Sequence, residues 1–244
     1  MWSRVELKNR AKAVLKTNYW KAFLISLVIA FATGGNGGGS SNGGRSSFEN
    51  HSGSWPMPDI SPEFVIAIVL IVLAAVFAVI VFFAALRIFL GYPLEVGGRR
   101  YFIKSAQYGD NRGCFTFAFT GGHYKSIVLT MLLKGVKNFL WYLLFIIPGI
   151  VKAYSYSMVP YILAENPNIG ANRAIELSKN MTDGHKMDMF ILDLSFLGWY
   201  LLGLIAFIIG TLFVFPYHNA TKAELYLVLK ENAFRGGYWK TGEL

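Results

Sequence analysis

The hydrophobic pattern of the chain consists of long apolar stretches separated by short basic segments. The clearest stretch runs from Phe64 to Leu86, FVIAIVLIVLAAVFAVIVFFAAL, and contains no charged residue. As a helix it would be about 35 Å long, which exceeds a hydrocarbon core of about 30 Å. The pattern therefore predicts a transmembrane helix, which we assign to residues 64–90.

An earlier apolar segment, from Ala22 to Thr33, is too short to cross a membrane alone, but the aromatic pair Tyr19 and Trp20 extends it toward the basic N-terminus. We therefore predict a first span over residues 17–33. Residues 1–16 are predicted to form an amphipathic cytoplasmic helix that lies along an anionic inner leaflet before it turns into this span. Its apolar face consists of Leu7, Ala11, Val14 and Leu15.

A glycine- and serine-rich segment over residues 34–63 follows the first span. This composition predicts a flexible loop that cannot bury a core, and we expect it outside the cell. Ala30-Phe31-Ala32 also resembles a signal-peptidase site, so cleavage of the first span is an alternative. The long amphipathic segment before the apolar core favours an uncleaved helix.

A helical hairpin is predicted between Ser126 and Glu165, because Pro148-Gly149 interrupts the apolar run and favours a tight reversal. Its arms are residues 126–147 and 150–164.

The last apolar stretch, Met187 to Leu229, would be about 64 Å long as one helix, twice the length of one crossing. We therefore divide it near Gly210 into spans over residues 187–209 and 211–230. Before it, residues 166–186 are predicted to form an amphipathic cytoplasmic helix that ends at Asp183-Gly184. Packing under the bundle is the favoured role of this helix, and docking of a partner is the alternative.

Together these elements predict an all-α integral membrane bundle of about six transmembrane helices. Lysine and arginine concentrate in the predicted cytoplasmic pieces, whereas the predicted outer loops carry only Arg45. By the positive-inside rule, both termini are predicted to be cytoplasmic in a multi-pass protein of the cell membrane. The cytoplasmic pieces are residues 1–16, the loop 91–125, residues 166–186 and the tail 231–244.

Composition agrees with this prediction. The 244 residues are 54% hydrophobic and 15% charged, far from an ordinary soluble domain. The net charge of +9 lies in short runs beside apolar segments, so membrane topology rather than nucleic acid explains it. The single cysteine, Cys114, excludes an internal disulfide. No catalytic motif stands in a supporting context, so we predict no enzymatic activity, no cofactor and no metal.

Ionisable residues inside the predicted spans are the candidates for function, because they are costly to bury. Asp193 is the strongest candidate, and we expect it to pair with Lys134 or Lys137, or with hydroxyl and backbone donors. An ion pair that fixes helix packing is favoured over a coupling site. The complete candidate set is Lys134, Lys137, Lys152, Asp188, Asp193, His218 and Glu224.

Two expectations concern the other polar groups of these spans. His218 is expected to make a local hydrogen bond near an interface, with proton relay or ligand binding as the alternative. The tyrosines of the predicted hairpin are expected in an interfacial aromatic belt rather than in a pocket wall. These tyrosines are Tyr154, Tyr156 and Tyr161.

Five segments together resemble family nine-seven-five of domains of unknown function, a family of polytopic membrane proteins from Gram-positive bacteria. They are LKNRAKAVLKTNYWKAFLISL, PLEVGGRRYFIKSA, LWYLLFIIPGIVKAYSYSMVPYILAENP, AIELSKNMTDGHKMDMFILDLSFLGW and FPYHNATKAELY. The resemblance covers nearly the whole chain except the insert from Gly34 to about Ser61. It implies a membrane bundle and supplies no reaction, cofactor or site. More distantly, the PGI turn is similar to the membrane domain fused to glycerophosphoryl diester phosphodiesterases, whose catalytic barrel is absent from this sequence.

Three classes of function are compatible with these observations. A non-enzymatic accessory, assembly or envelope-protection factor is the leading hypothesis, because no catalytic constellation is present. A small transporter or channel-like protein that uses buried charges is the alternative, and an intramembrane enzyme comes last. The expected partners are the lipid bilayer and a protein partner or a second copy of the chain, and no nucleic acid. A polar cavity within the bundle would favour the transporter, whereas a tightly packed bundle with an exposed apolar groove would favour the accessory factor.

Overall fold

The computed structural model describes residues 3–32, 62–120, 122–205 and 209–239. Within these ranges all regular secondary structure is helical, which confirms the predicted all-α class. Residues 34–61 of the predicted outer loop and the last residues of the predicted tail lie outside the described ranges. The helices are α1 (Arg4–Ala32), α2 (Pro62–Leu86), a π-helical segment (Arg87–Gly91), α3 (Tyr92–Ala106), α4 (Cys114–Phe117), α5 (Tyr124–Leu144), α6 (Ile146–Ser155), α7 (Val159–Glu165), α8 (Ala171–Thr182), α9 (Lys186–Ile205) and α10 (Ile209–Arg235).

The first helix is continuous, so the predicted turn between an interfacial segment and the first span is wrong. Its 29 residues contain no glycine or proline, the residues that most readily interrupt helical hydrogen bonding. The predicted apolar face, from Leu7 to Leu15, is buried within the protein, and α1 packs mainly against α10 and also against α3. Lys8 also donates to the Ser195 hydroxyl at 2.8 Å, and burial together with the nearby Lys12 and Arg4 lowers the pKa of Lys8.

Helices α2 and α3 form one continuous helix through the π-helical segment. Residues 92–106 therefore do not form a loop, as we predicted for residues 91–125, but a helix in the centre of the bundle. Hydropathy misses α3 because charged residues alternate with its apolar ones. Its buried side chains contact α1, α7 and α10, and they include Val96, Tyr101, Phe102 and Ile103.

Helix α2 differs from the rest of the molecule because its apolar side chains are exposed. By length and composition, two helical stretches could cross a membrane, Ile66–Ala106 and Tyr124–Leu144. In the most apolar part of the first stretch, no residue is buried. A Cβ atom on Gly98 of α3 would lie 2.4 Å from the side chain of Ile29, near the end of α1. The end of α2 precedes Gly98 by more than three helical turns. Because the end of α1 lies against Gly98, α2 extends beyond α1 and does not pack beside it.

The predicted hairpin of residues 126–147 and 150–164 is divided differently in the structure. The chain breaks at Phe145, which is extended at φ −157° and ψ 147°, and not at Pro148-Gly149. Pro148 lies in the first turn of α6, where backbone N–H groups have no acceptor within the helix. The missing N–H of proline therefore breaks no helical hydrogen bond. The second arm is also interrupted: α6 ends at Ser155, and Pro160, the second residue of α7, has no N–H with which to continue α6.

Helix α10 organises the core and contacts α1, α3, α8 and α9. Helix α8 is amphipathic as predicted, ends just before Asp183-Gly184, and buries Ala174, Ile175 and Ser178 against the bundle. Ser178 donates to the Ser155 carbonyl at 2.7 Å and accepts a bond from the Met158 backbone N–H at 3.2 Å. The helix is therefore a packed connector under α5, α6 and α7.

The close approach of α3 and α4 yields the first testable prediction. A Cβ atom on Gly97 would lie 2.9 Å from the Cys114 carbonyl oxygen and 3.0 Å from the Phe115 Cα, and a backbone cannot move as a side-chain tip can. We expect Gly97→Ala to lower the free energy of unfolding by about 1–3 kcal/mol. Thermal unfolding of the purified protein in detergent measures this loss.

The matched control is Gly198→Ala in α9, where a new methyl group would meet no atom within 4 Å. Alanine is the better helix former, so this variant should be as stable as the parent chain or slightly more stable. Equal unfolding temperatures for the two variants would contradict the packing of α3 against α4.

Candidate functional site

A cavity of about 480 Å³ lies within the helical bundle. Side chains from seven helices line it, namely α1, α3, α5, α6, α7, α9 and α10, together with Arg87 of the π-helical segment. The walls carry hydroxyl, amide and charged groups as well as apolar ones. Its charged lining residues are Arg87, Glu95, Arg99, Lys134, Asp193 and Lys222.

The carboxylate of Asp193 accepts three bonds at one wall of this cavity. Lys222 Nζ lies 2.6 Å and His218 Nε2 lies 3.1 Å from Oδ1, and the Tyr154 hydroxyl donates to Oδ2 at 3.0 Å. The other ring nitrogen of His218, Nδ1, lies 3.2 Å from the Tyr200 hydroxyl. A neutral imidazole with its proton on Nε2 satisfies both contacts, since it donates to Asp193 and accepts from Tyr200.

The cation that pairs with Asp193 is therefore Lys222, and the predicted pairing with Lys134 or Lys137 is wrong. The alternative expectation of a hydroxyl donor is met by Tyr154. The sequence held a signal for the observed pair: Asp193 lies 12 residues before the end of α9, and Lys222 lies 13 residues after the start of α10. If α9 and α10 form an antiparallel hairpin, these two positions lie at nearly the same distance from the turn. Lys222 is therefore placed to neutralise Asp193.

A second polar network is centred on Arg99 of α3, which sequence analysis did not single out because α3 was assigned to a loop. Its Nη1 donates to the Asn219 amide oxygen at 2.6 Å and to the Tyr161 hydroxyl at 3.2 Å, and its Nη2 lies 3.8 Å from a Glu95 carboxylate oxygen. Asn219 in turn donates to the Ser26 hydroxyl at 3.1 Å. The network joins α1, α3, α7 and α10.

Three polar groups of the cavity wall lack a complementary partner in the described part of the chain. Lys134 makes no ion pair or hydrogen bond there. The Nε of Arg99 and the Oδ1 of Asn138 are shielded from solvent and also have no hydrogen-bond partner. Shielded groups of this kind are costly unless a ligand or water completes their bonding.

The structure brings together three of the seven candidate residues, because Asp193, His218 and Lys134 all line the cavity. The other four do not line it. Lys152 lies over the Trp141 ring at 4.7 Å, Asp188 is an exposed residue 4.0 Å from His185, Glu224 is buried elsewhere in α10, and Lys137 is half-buried on α5.

The tyrosines of the predicted hairpin belong to the cavity and not to a lipid-facing belt. Tyr156 and Tyr161 line its wall, and Tyr154 binds Asp193. Hydropathy could not distinguish the two locations, because tyrosine suits both an interface and a polar pocket. In the described residues no group of three or more His, Cys, Asp or Glu side chains could hold a metal ion.

Residues 139–233 match a family described as "Protein of unknown function (DUF975)". This part of the chain is similar to that family. The match confirms the resemblance inferred from the sequence, and it covers α6 to α9 and most of α10, including the Asp193 network. No curated protein and no solved structure matches the chain. The more distant similarity to the membrane domain of phosphodiesterases stays a prediction.

The Asp193 network gives a second testable prediction. Asp193→Asn removes the charge that balances Lys222 between helices, and we expect it to lower the free energy of unfolding by about 3 kcal/mol. The double variant Asp193→Asn with Lys222→Met removes both charges and should regain part of this loss. Unfolding of the single and double variants in detergent measures the coupling between the two residues.

Asp188→Asn is the matched control, since it makes the same change on the same helix at an exposed position. It should alter stability by less than about 0.5 kcal/mol. If Asp193→Asn were as stable as this control, the carboxylate would not hold the helices together and a coupling role would be favoured.

Proposed function

We propose that the protein is a multi-pass membrane protein with both termini in the cytoplasm, and that its helical bundle binds a small polar solute as a transporter or solute-binding protein. The supporting observation is the charged cavity among seven helices, with Lys134 left without an ion pair in the described residues. Its volume of about 480 Å³ falls within the usual range of small-molecule sites. Polar cavities between helices are where solute pathways in membrane proteins are built.

Helix α2 supports the membrane part of this proposal. An uncovered apolar helix of 25 residues would be strongly unfavourable in water, whereas lipid can cover it on all sides. The asymmetry of lysine and arginine supports cytoplasmic termini. The proposal keeps an even number of crossings, but six do not fit the packing of α1: Ile29 near its end lies against Gly98 of α3, and six crossings would place these two residues on opposite sides of the membrane.

An accessory or assembly role is the second candidate, and the exposure of α2 is the observation that favours it. A partner's transmembrane helix or a second copy of the chain could cover α2 as lipid does. The cavity favours the transporter or solute-binding role over this one, because an accessory factor has no need for unpaired polar groups inside its bundle.

Topology is tested by cysteine labelling. In a Cys114→Ser background, Arg45→Cys should react with a membrane-impermeant maleimide added to intact cells, because the basic pieces face the cytoplasm and residue 45 lies in the proposed outer loop. Lys240→Cys should react only after the membrane is permeabilised. Labelling of residue 240 from outside would contradict an even number of crossings.

Access to the cavity is tested by the matched pair Ser157→Cys and Ser178→Cys in the same background. Ser157 lines the cavity, whereas Ser178 is fully buried in packed protein away from it. We expect a small charged methanethiosulfonate reagent to modify the Ser157→Cys variant in membranes and to leave the Ser178→Cys variant unmodified. Protection of both thiols, in protein that unfolds at the parent temperature, would indicate a closed bundle and favour the accessory role.

A further inference from the structure

We infer that the cavity binds a neutral α-amino acid as a zwitterion, with its carboxylate on Arg99 and Lys134 and its ammonium group on Glu95. This inference rests on the proposed solute-binding function and specifies the chemical class of the solute. The class follows from which polar groups of the cavity wall are already engaged within the protein and which are not.

Three of the charged lining residues are engaged elsewhere. The Asp193 carboxylate lies 2.6 Å from Lys222 and also accepts from a histidine and a tyrosine, so this pair is complete without a ligand. Arg87 has an interaction of its own. We therefore assign none of these three residues to the ligand.

Arg99 keeps one edge of its guanidinium group for a ligand. Its Nη1 donates to Asn219 and Tyr161, but its Nε is shielded from solvent and has no hydrogen-bond partner in the described residues. Its Nη2 lies 3.8 Å from a Glu95 carboxylate oxygen, which is too far for a hydrogen bond. Since Nε and Nη2 lie on the same edge, their N–H groups can hold both oxygens of a carboxylate.

Lys134 supplies a second cationic donor. It lies on α5, whereas Arg99 lies on α3, and both residues line the cavity. Among the described residues, the Lys134 ammonium group has no ion pair and no hydrogen bond. Each carboxylate oxygen has two lone pairs, so a carboxylate held by Arg99 can also accept from Lys134.

Glu95 and Asn138 give the same cavity unused acceptors. The buried Glu95 carboxylate accepts no hydrogen bond in the described part of the chain, and the Oδ1 of Asn138 has no partner there either. An ammonium group offers three donors to such acceptors. A purely anionic ligand would lie beside the Glu95 charge, whereas a purely cationic one would face Arg99 and Lys134. A ligand that carries both charges satisfies both sets of groups.

The spacing of the two sets favours a ligand whose charges are close together. Arg99 Nη2 and the Glu95 carboxylate oxygen are 3.8 Å apart, so the donor edge and the main acceptor are neighbours on α3. An α-amino acid carries its ammonium and carboxylate groups on the same carbon atom, so it can reach both residues at once. In a peptide, peptide bonds separate the two charged ends, and the fit is lost.

The rest of the cavity indicates a neutral side chain. Its volume of about 480 Å³ leaves space beyond the charged groups of an amino acid, and this part of the wall includes the aromatic rings of Tyr92, Tyr156 and Phe215. A charged side chain would find Asp193 and Lys222 already paired with each other. Burial of a third charge without a partner would be costly.

The test uses the full chain, purified in an uncharged detergent, and measures binding by calorimetry. The ligands are L-alanine, L-leucine, L-phenylalanine and L-glutamine, each with one analogue that lacks the ammonium group and one that lacks the carboxylate. For leucine these analogues are isocaproate and isoamylamine. We expect saturable binding of at least one amino acid, and binding about tenfold weaker or more for each of its analogues, because a missing group leaves buried polar groups unpaired.

The decisive comparison is between Glu95→Gln and Glu224→Gln, which make the same change at a buried glutamate inside and outside the cavity lining. Glu95→Gln should weaken binding of the amino acid about tenfold or more, but it should not weaken binding of the analogue without an ammonium group. Glu224→Gln should change both by less than about twofold. Equal weakening of both ligands by Glu95→Gln, or no weakening of either, overturns the inference.

Lys134→Gln and Lys137→Gln give a second comparison that does not depend on the folding of a Glu95 variant. Lys134 lines the cavity and Lys137 does not. Lys134→Gln should weaken binding of the amino acid and of the analogue without an ammonium group, but not binding of the analogue without a carboxylate. Lys137→Gln should change none of the three by more than about twofold. Unchanged amino acid binding by Lys134→Gln overturns the inference.

Absence of saturable binding of all four amino acids, or analogues that bind as tightly as the amino acids, also overturns the inference. Labelling of Ser157→Cys then distinguishes its failure from that of the proposed function. If the thiol at position 157 reacts while no amino acid binds, the cavity is open to solutes and only the inferred ligand class is wrong. If that thiol is protected, the proposed function fails together with the inference.

Discussion

The carboxylate of Asp193 has to be neutralised between packed helices, and much of the bundle is arranged around this requirement. Its three donors come from α6 and α10, so one side chain of α9 fixes the position of two neighbouring helices. Because removal of either charge of a buried pair leaves the other uncompensated, the pair favours the register of α9 against α10 that brings both charges together. The Tyr200 contact to His218 extends the same restriction toward the end of α9.

Helix α3 carries a second polar network in the wall of the cavity. Arg99 donates to an amide and a phenol, lies 3.8 Å from a carboxylate, and through Asn219 reaches Ser26 of α1. Two residues earlier, Gly97 lets α3 approach the backbone of α4 closely, since it has no Cβ atom. Two polar networks thus join the helices that form the cavity wall, while apolar residues such as Phe102, Leu163 and Tyr226 are buried in the core.

The bundle and α2 differ in what they bury. The bundle buries its charged groups against one another, whereas α2 exposes its apolar side chains throughout its most hydrophobic window. Both belong to one continuous helix, so the boundary between these environments lies at the π-helical segment Arg87–Gly91. Arg87 is the first charged residue after the apolar run, so the uncharged stretch ends at this segment.

The sequence by itself determined the helical class, the apolar run of α2, the amphipathic face of α1 and the end of α8, because each depends on local periodicity, composition or a helix-ending glycine. It also determined which charges are costly, and Asp193 stood out for that reason. Only the tertiary structure decided that Lys222 rather than Lys134 neutralises Asp193, that α3 is a core helix, and that the chain breaks at Phe145 instead of Pro148. These outcomes depend on which helices become neighbours and on what surrounds a proline or a charge after packing, and hydropathy measured along one chain does not contain that information.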